Sequence, residues 1–146
     1  MEQIERIGHM HILVIDAQGG GIGRQLVAQI REELPDTVIT AVGTNSLATS
    51  AMLKAGADHG ATGENAVIVG ARKADVIVGP IGIVVADSLF GEITPAMAKA
   101  VGQSSAKRIL IPINHCDNIV VGIGETGIRD LVREVIQILR QQAANV

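Results

Sequence analysis

Apolar runs of strand length alternate along this chain with segments in which apolar residues recur every three or four positions. Residues 11–15 form a continuous run that ends at Asp16, which predicts a buried strand. Helical spacing follows at Ile22, Leu26, Val27, Ile30 and Leu34. Polar residues occupy the other face of this segment and Pro35 stops it, so the first unit is predicted to be a strand, a turn and a helix.

The same alternation continues to the end of the chain. Further strands are predicted at residues 37–42, 58–62, 75–79 and 108–113, with an additional strand at 118–122. Further helices are predicted at residues 47–54, 65–73, 95–102 and 128–139. Residues 83–89 fit either a helix or a strand, and we favour a helix.

The repeated order of strand and helix predicts the class of fold. Right-handed crossovers place helices on both faces of the sheet. We therefore expect an α/β fold, with a three-layer α/β/α, Rossmann-like, doubly wound and mostly parallel sheet of five to six strands. Pro112 in the fifth predicted strand cannot donate to a ladder, which places that strand near a sheet edge.

Composition is compatible with one domain of this class. The chain has 146 residues, of which 47% are apolar, with 17 glycines and Phe90 as the single aromatic residue. Such a core is built from small aliphatic side chains. We assign residues 11–142 to one domain and residues 1–10 to an N-terminal extension. These ten residues are polar and unlike a signal peptide, and Gly8-His9-Met10 resembles the remnant of a cloning junction.

Charge and hydropathy exclude several kinds of partner. A net charge of −3 gives no bulk attraction to nucleic acid or to an anionic membrane. No apolar run reaches the roughly 18 residues that span a bilayer, so we expect no membrane partner and a cytoplasmic location. The apolar, aromatic-poor composition is compatible with a homodimer.

The run Gly19-Gly20-Gly21-Ile22-Gly23 lies between the first strand and the first helix. Glycine lets an anion approach backbone N–H groups, and the helix adds its positive end. The spacing differs from the dinucleotide fingerprint, because Arg24 stands where the third glycine is required, and no lysine of a P-loop follows. We favour an anion-binding loop; a purely structural tight turn is the alternative.

Other strand ends are expected to meet this loop, because such sheets bind ligands at the carboxyl ends of their strands. Residues 43–46 offer side-chain oxygens that can hold a phosphate or cap the next helix. They lack the acidic residue that would hold the ribose hydroxyls of NAD. The predicted ligand-binding residues are Asp16, Gln18, Gly19, Gly20, Gly21, Ile22, Gly23, Thr44, Asn45, Ser46, Pro80 and Asn114.

The remaining polar residues leave alternatives open. Asp16 can orient the glycine loop, coordinate a metal held by phosphates, or act as an acid or base. A polar group at Asp87, Ser88 and Glu92 fits either a site wall or helix ends. The pair His115-Cys116 is adjacent in sequence, which does not by itself activate a nucleophile, and one cysteine with scattered histidines predicts no metal site. We therefore predict no catalytic residue and no metal ligand.

Five motifs in order resemble one bacterial family of unknown function, catalogued as domain of unknown function 3842. They are Asp16-x-Gln18-Gly-Gly-Gly-Ile-Gly23, the segment 43–52, Gly60-Ala-Thr-Gly-Glu-Asn65, Gly79-Pro-Ile-Gly82 and Gly91-Glu-Ile-Thr-Pro95. The resemblance covers residues 11–140 and implies a small stand-alone bacterial protein. It supplies no activity.

The sequence therefore predicts a small protein that binds an anionic molecule, a nucleotide or a phosphorylated metabolite, as a sensor or subunit. Its cofactor stays unidentified. The alternative is a small enzyme acting on such a substrate, NAD(P)-linked in one version, with Asp16, Asn45 or Glu92 in the chemistry. A third interpretation is an assembly protein whose glycines serve packing only.

Overall fold

The computed structural model describes residues 10–113 and 117–144. The described residues form a five-stranded sheet in which every pairing is parallel, in the order β3-β2-β1-β4-β5. The strands are β1 His11–Asp16, β2 Val38–Gly43, β3 His59–Thr62, β4 Val76–Pro80 and β5 Lys107–Ile111. The predicted α/β, doubly wound parallel class is therefore confirmed.

Helices cover both faces of the sheet. They are α1 Gly21–Glu33, α2 Ser46–Lys54, α3 Glu64–Lys73, α4 Pro95–Gly102 and α5 Ile128–Ala144, with a short 3₁₀ turn at Ile81–Val84. Buried residues of α1, α2 and α5 share one core cluster, and those of α3 and α4 share the other. Each layer thus buries its own side of the sheet.

The central strand β1 explains why the first apolar run has no polar interruption. Ile12 and Val14 pack in the cluster under α1, whereas Leu13 and Ile15 pack in the cluster under α3. Alternate side chains of a strand point to opposite faces, so a strand covered on both faces must be apolar throughout. Met10, just before β1, is also fully buried, and its carbonyl accepts the N–H of Val38.

Residues 83–89 are not the helix that we favoured. The chain makes the 3₁₀ turn Ile81–Val84 and then irregular turns, with Asp87, Leu89 and Phe90 in the left-handed region. Leu89 and Ile93 are buried and anchor these turns to the core. Within residues 83–89 the buried apolar side chains are Ile83 and Leu89, and irregular turns rather than a helix join them; Phe90, just beyond the segment, is 98% exposed.

The additional strand at 118–122 is also wrong within the described residues. These residues pair with no strand, and Ile119 and Val121 are each 92% exposed. The fifth strand lies at the sheet edge as predicted, but it ends at Ile111. Pro112 follows immediately, and because proline has no N–H the ladder cannot continue through it.

Arg31, in the last turn of α1, ties that helix to the amino-terminal edge of the sheet. Its guanidinium donates to the carbonyl of Gly56 at 3.0 Å, to the carbonyls of Pro35 and Thr37, and to the carboxylate of Asp58 at 2.6 Å. That carboxylate also accepts the N–H of β2 residue 39 at 2.8 Å. Burial disfavours the charged form of Asp58, but these donors outweigh it and hold the pKa of Asp58 below its ordinary value.

Arg31→Met is expected to lower the free energy of unfolding by about 2 kcal/mol, because hydrogen bonds to charged groups are lost while the aliphatic stem is kept. Urea denaturation measures this change. Arg72→Met, at an exposed position of α3, is the control and should change stability by less than about 0.5 kcal/mol. Equal effects of the two substitutions would mean that the Arg31 contacts do not stabilise the fold.

Candidate functional site

A small cleft of about 160 Å³ opens at the carboxyl ends of β1 and β4. These strands are neighbours, but β1 leads to α1 on one face and β4 leads to α4 on the other. This is the switch point in strand order, where open α/β sheets bind ligands. The cleft is lined by residues 16–22, Pro80 and Leu89.

A larger groove of about 660 Å³ follows the seam between α1 and α5. Its arginines include Arg140, which pairs with Glu33, and Arg133, which lies 3.5 Å from Asp130. It is an open channel between helix surfaces, and no loop from a strand end contributes to it. The smaller cleft at the switch point is therefore the better candidate for a specific site.

Two of the loop glycines are required by packing against α2. Gly20 has φ +74°, and a Cβ there would lie 2.8 Å from the Cα of Ala48. A Cβ at Gly23 would lie 2.6 Å from the Sδ of Met52 and 2.9 Å from the Cβ of Asp16. Neither position accepts a side chain without movement of its neighbours.

The other two loop glycines, Gly19 and Gly21, face open space. A Cβ at either position would have no atom within 4 Å. The start of α1 has no side-chain cap at Gly20, and among the described residues the N–H groups of Gly21 and Ile22 have no hydrogen-bond partner. Two backbone donors at the positive end of a helix thus belong to residues that line the cleft.

The buried carboxylate of Asp16 fixes the shape of the loop. One oxygen accepts the N–H of Ala17 at 2.8 Å and the other accepts the N–H of Gly23 at 2.6 Å. Burial raises the pKa of Asp16 above its ordinary value; the two N–H groups oppose this rise, and the charge of Glu92 adds to it. Because both oxygens hold backbone groups, the geometry favours the structural interpretation of Asp16.

Glu92 connects three of the loops that follow strands. Its Oε1 accepts the hydroxyl of Thr44 at 2.8 Å and the amide of Asn45 at 2.7 Å. The backbone N–H of Gln18 is shared between the two carboxylate oxygens, at 3.2 Å and 3.1 Å. Burial raises the pKa of Glu92, but these donors outweigh burial and hold the pKa below its ordinary value. Glu92 is therefore ionised at neutral pH.

The structure brings together most of the predicted site residues. Asp16, Gln18, Gly19, Gly20, Gly21, Ile22 and Pro80 line the cleft. Thr44 and Asn45 reach its border through Glu92, and Asn45 also caps α2 by accepting the N–H of Ala48 at 2.9 Å. Gly23 lies buried beneath the cleft, and Ser46 is exposed at the start of α2. Asn114, His115 and Cys116 lie outside the described residues.

Glu92 was missing from the predicted ligand-binding set. It stands 48 and 47 positions after its partners Thr44 and Asn45, and no local pattern reports such a contact. The available signal was indirect. Residues 43–46 after β2 offered hydrogen-bonding side chains but no acidic one, and the polar group Asp87, Ser88 and Glu92 followed Pro80 in the sequence.

Within residues 10–113 and 117–144, no three His, Cys, Asp or Glu side chains come together as metal ligands would. In the same ranges, every helix is too short or too polar to cross a lipid bilayer.

The fold and the cleft define a Rossmann-like α/β domain with a glycine-rich loop at its switch point. Residues 11–144 match the model of the family described as Domain of unknown function (DUF3842), and the chain belongs to that family. No curated protein matches the chain. It is similar to a solved structure described as a dodecameric FMN-dependent UbiX-like decarboxylase from Escherichia coli O157:H7. The identity is 16%, with 91% of this chain and 93% of that chain covered and a TM-score of 0.44.

Gly23→Ala is expected to lower the free energy of unfolding by about 1–3 kcal/mol, because the added methyl overlaps Asp16 and Met52. Gly21→Ala is the matched control, since its methyl meets open space and alanine favours a helix. Urea denaturation compares the two. A Gly23→Ala variant as stable as Gly21→Ala would show that close packing does not require glycine at position 23.

Glu92→Gln is expected to cost on the order of 1–2 kcal/mol of stability at pH 6, because charge-assisted hydrogen bonds become neutral ones. Because the pKa of Glu92 is lowered in the folded protein, this stabilisation is fully present above the ordinary glutamate pKa of 4.5. It is lost as the pH falls through the folded pKa.

The difference between wild type and Glu92→Gln should therefore shrink from pH 6 to pH 3 in urea titrations. Glu125→Gln removes an exposed charge as the control. A Glu92→Gln difference that stays constant with pH would contradict the assigned role of the charge.

Proposed function

We propose that this protein binds a small ligand through one phosphate group, or a similarly charged anionic group, at the glycine loop. The observation that carries the proposal is the pair of N–H groups at Gly21 and Ile22, which have no hydrogen-bond partner among the described residues and belong to residues that line the cleft at the start of α1. Helix N-termini with free N–H groups attract anions by their dipole and by direct hydrogen bonds.

The charges around the cleft limit the ligand to low charge. No lysine or arginine is among the described residues that line it, while Asp16 contributes to its wall and Glu92 stands at its border. Attraction must therefore come from backbone dipoles, and nearby carboxylates repel additional negative charge. This balance favours a single phosphate over a diphosphate or triphosphate.

The size of the cleft also favours a small ligand with one phosphate group. Its volume of about 160 Å³ is smaller than the roughly 300–1,000 Å³ of pockets that enclose a drug-sized ligand. It suits a phosphate with part of a sugar, and any larger portion of a ligand would lie outside. A binding role without chemistry, as a sensor or subunit, agrees with Asp16, whose two oxygens are engaged by backbone groups.

Thermal-shift measurements against nucleoside monophosphates, nicotinamide and flavin nucleotides, coenzyme A and sugar phosphates test this function. A ligand at 100 times its dissociation constant should stabilise the fold by about 2.7 kcal/mol. Gly21→Val should abolish the shift, because its side chain would occupy the space that an anion needs beside the N–H groups.

Gly102→Val is the control, since Gly102 ends α4 and faces open space. Its melting temperature should rise with ligand as the wild type's does. Failure of every compound to shift the wild type would overturn the proposal. A shift that survives Gly21→Val would locate binding elsewhere.

A further inference from the structure

The carboxylate of Glu92 stands at the end of β2, although the chain delivers it from the connection between β4 and α4. Thr44 follows β2 directly, and its hydroxyl donates to Glu92 at 2.8 Å. The sequence after β2 offers no acid of its own. In sheets of this topology that bind dinucleotides, an acidic side chain at the end of the second strand accepts ribose hydroxyls. Glu92 fills this position from another part of the chain.

One oxygen of Glu92 keeps capacity to accept a further hydrogen bond. Oε1 receives the Thr44 hydroxyl, the Asn45 amide and a share of the Gln18 N–H. Among the donors in residues 10–113 and 117–144, Oε2 receives only the other share of that N–H. An ionised carboxylate offers about four lone-pair positions, so Oε2 can still accept a donor. Gln18 itself lines the cleft, which places Glu92 at the rim.

The backbone that carries Glu92 is fixed by buried contacts. Ser88, Leu89 and Ile93 are buried, and the N–H groups of Ile93 and Glu92 donate to the carbonyls of Ser88 and Leu89. The N–H of Asp87 donates to the carbonyl of Ile93 at 2.7 Å. A side chain held on such a closed turn is preorganised, so ligand binding loses little conformational entropy in ordering it.

We propose that Glu92 accepts a hydroxyl group of the ligand, which makes the ligand a phosphorylated sugar or a nucleotide with a free ribose hydroxyl. This inference rests on the proposed function, since the glycine loop must hold the phosphate. Glu92 then decides specificity. Its charge opposes the phosphate, and only a ligand that donates a hydroxyl to Oε2 recovers that loss.

Glu92→Gln separates the repulsion between the carboxylate and the phosphate from the hydrogen bond that the carboxylate accepts from the ligand hydroxyl. The amide oxygen can keep the bonds to Thr44 and Asn45, while its NH₂ group replaces the free acceptor by a donor. Calorimetry with methyl phosphate, ribose 5-phosphate and 2-deoxyribose 5-phosphate is the measurement. Glu64→Gln is the matched control. Glu64 also accepts a threonine hydroxyl, that of Thr94, but unlike Glu92 it has no hydrogen bond to a residue that lines the cleft among the described residues.

The wild type should bind ribose 5-phosphate about tenfold more tightly than methyl phosphate, as one charge-assisted hydrogen bond allows. In Glu92→Gln the two ligands should move in opposite directions. Ribose 5-phosphate should weaken, and methyl phosphate should tighten because the repulsive charge is gone. Glu64→Gln should keep the wild-type ratio, and 2-deoxyribose 5-phosphate shows whether the 2-hydroxyl is the donor.

The outcomes distinguish this inference from the proposed function. If no phosphate compound binds, the proposed function fails. If methyl phosphate binds in a manner that depends on Gly21, but ribose 5-phosphate binds no better, only the role of Glu92 is overturned. If Glu92→Gln still prefers ribose 5-phosphate to methyl phosphate, the proposed role of Glu92 is overturned as well. Should that variant not fold, Glu92→Asp keeps the charge and retracts it by one methylene, and the preference should again fall.

Discussion

The buried carboxylate of Asp16 is the interaction on which the geometry of the site depends. Its oxygens hold the N–H groups of Ala17 and Gly23, so the chain must leave β1, turn and enter α1 within a few residues. A buried charge is costly unless hydrogen bonds satisfy it, and the raised pKa of Asp16 reflects that cost. By occupying the Gly23 donor, Asp16 leaves Gly21 and Ile22 as the donors of the first helical turn that no other described residue engages.

Packing explains one pair of glycines in the loop, and the proposed ligand binding explains the other pair. Gly20 and Gly23 have no room for a Cβ, because Ala48 and Met52 on α2 approach too closely. Gly19 and Gly21 meet open space, so packing does not explain the absence of side chains there. If the glycines served packing only, as the interpretation as an assembly protein assumes, Gly20 and Gly23 would be explained. Gly19 and Gly21 would not be. Access of a ligand to the backbone accounts for both open positions.

The hydrophobic pattern predicted the strands and the long helices because each of them buries one or both of its faces, and a buried face requires apolar residues at regular spacing. β1 was readable since both of its faces are covered, and Thr94-Pro95 marked the start of α4 since the Thr94 hydroxyl caps it. Residues 83–89 were misjudged because irregular turns can bury isolated apolar residues, here Ile83 and Leu89, without forming a helix. The position of Glu92 depends on long-range contacts with Thr44, and one sequence contains no local signal for such a contact.

The two carboxylates at the cleft give the site a particular physical character. A phosphate site built on lysine or arginine gains affinity directly from the attraction of opposite charges. In the proposed site the anion would meet backbone donors in the presence of Asp16 and Glu92, so charge alone would give little net attraction. Specificity in such a site must come from hydrogen bonds that only the correct ligand completes, because an unpaired carboxylate beside a bound anion is a penalty. Oε2 of Glu92, which accepts only a shared N–H among the described residues, is where the proposed bond would form. The repulsion between Glu92 and the phosphate would then be offset only by a ligand that supplies this hydroxyl.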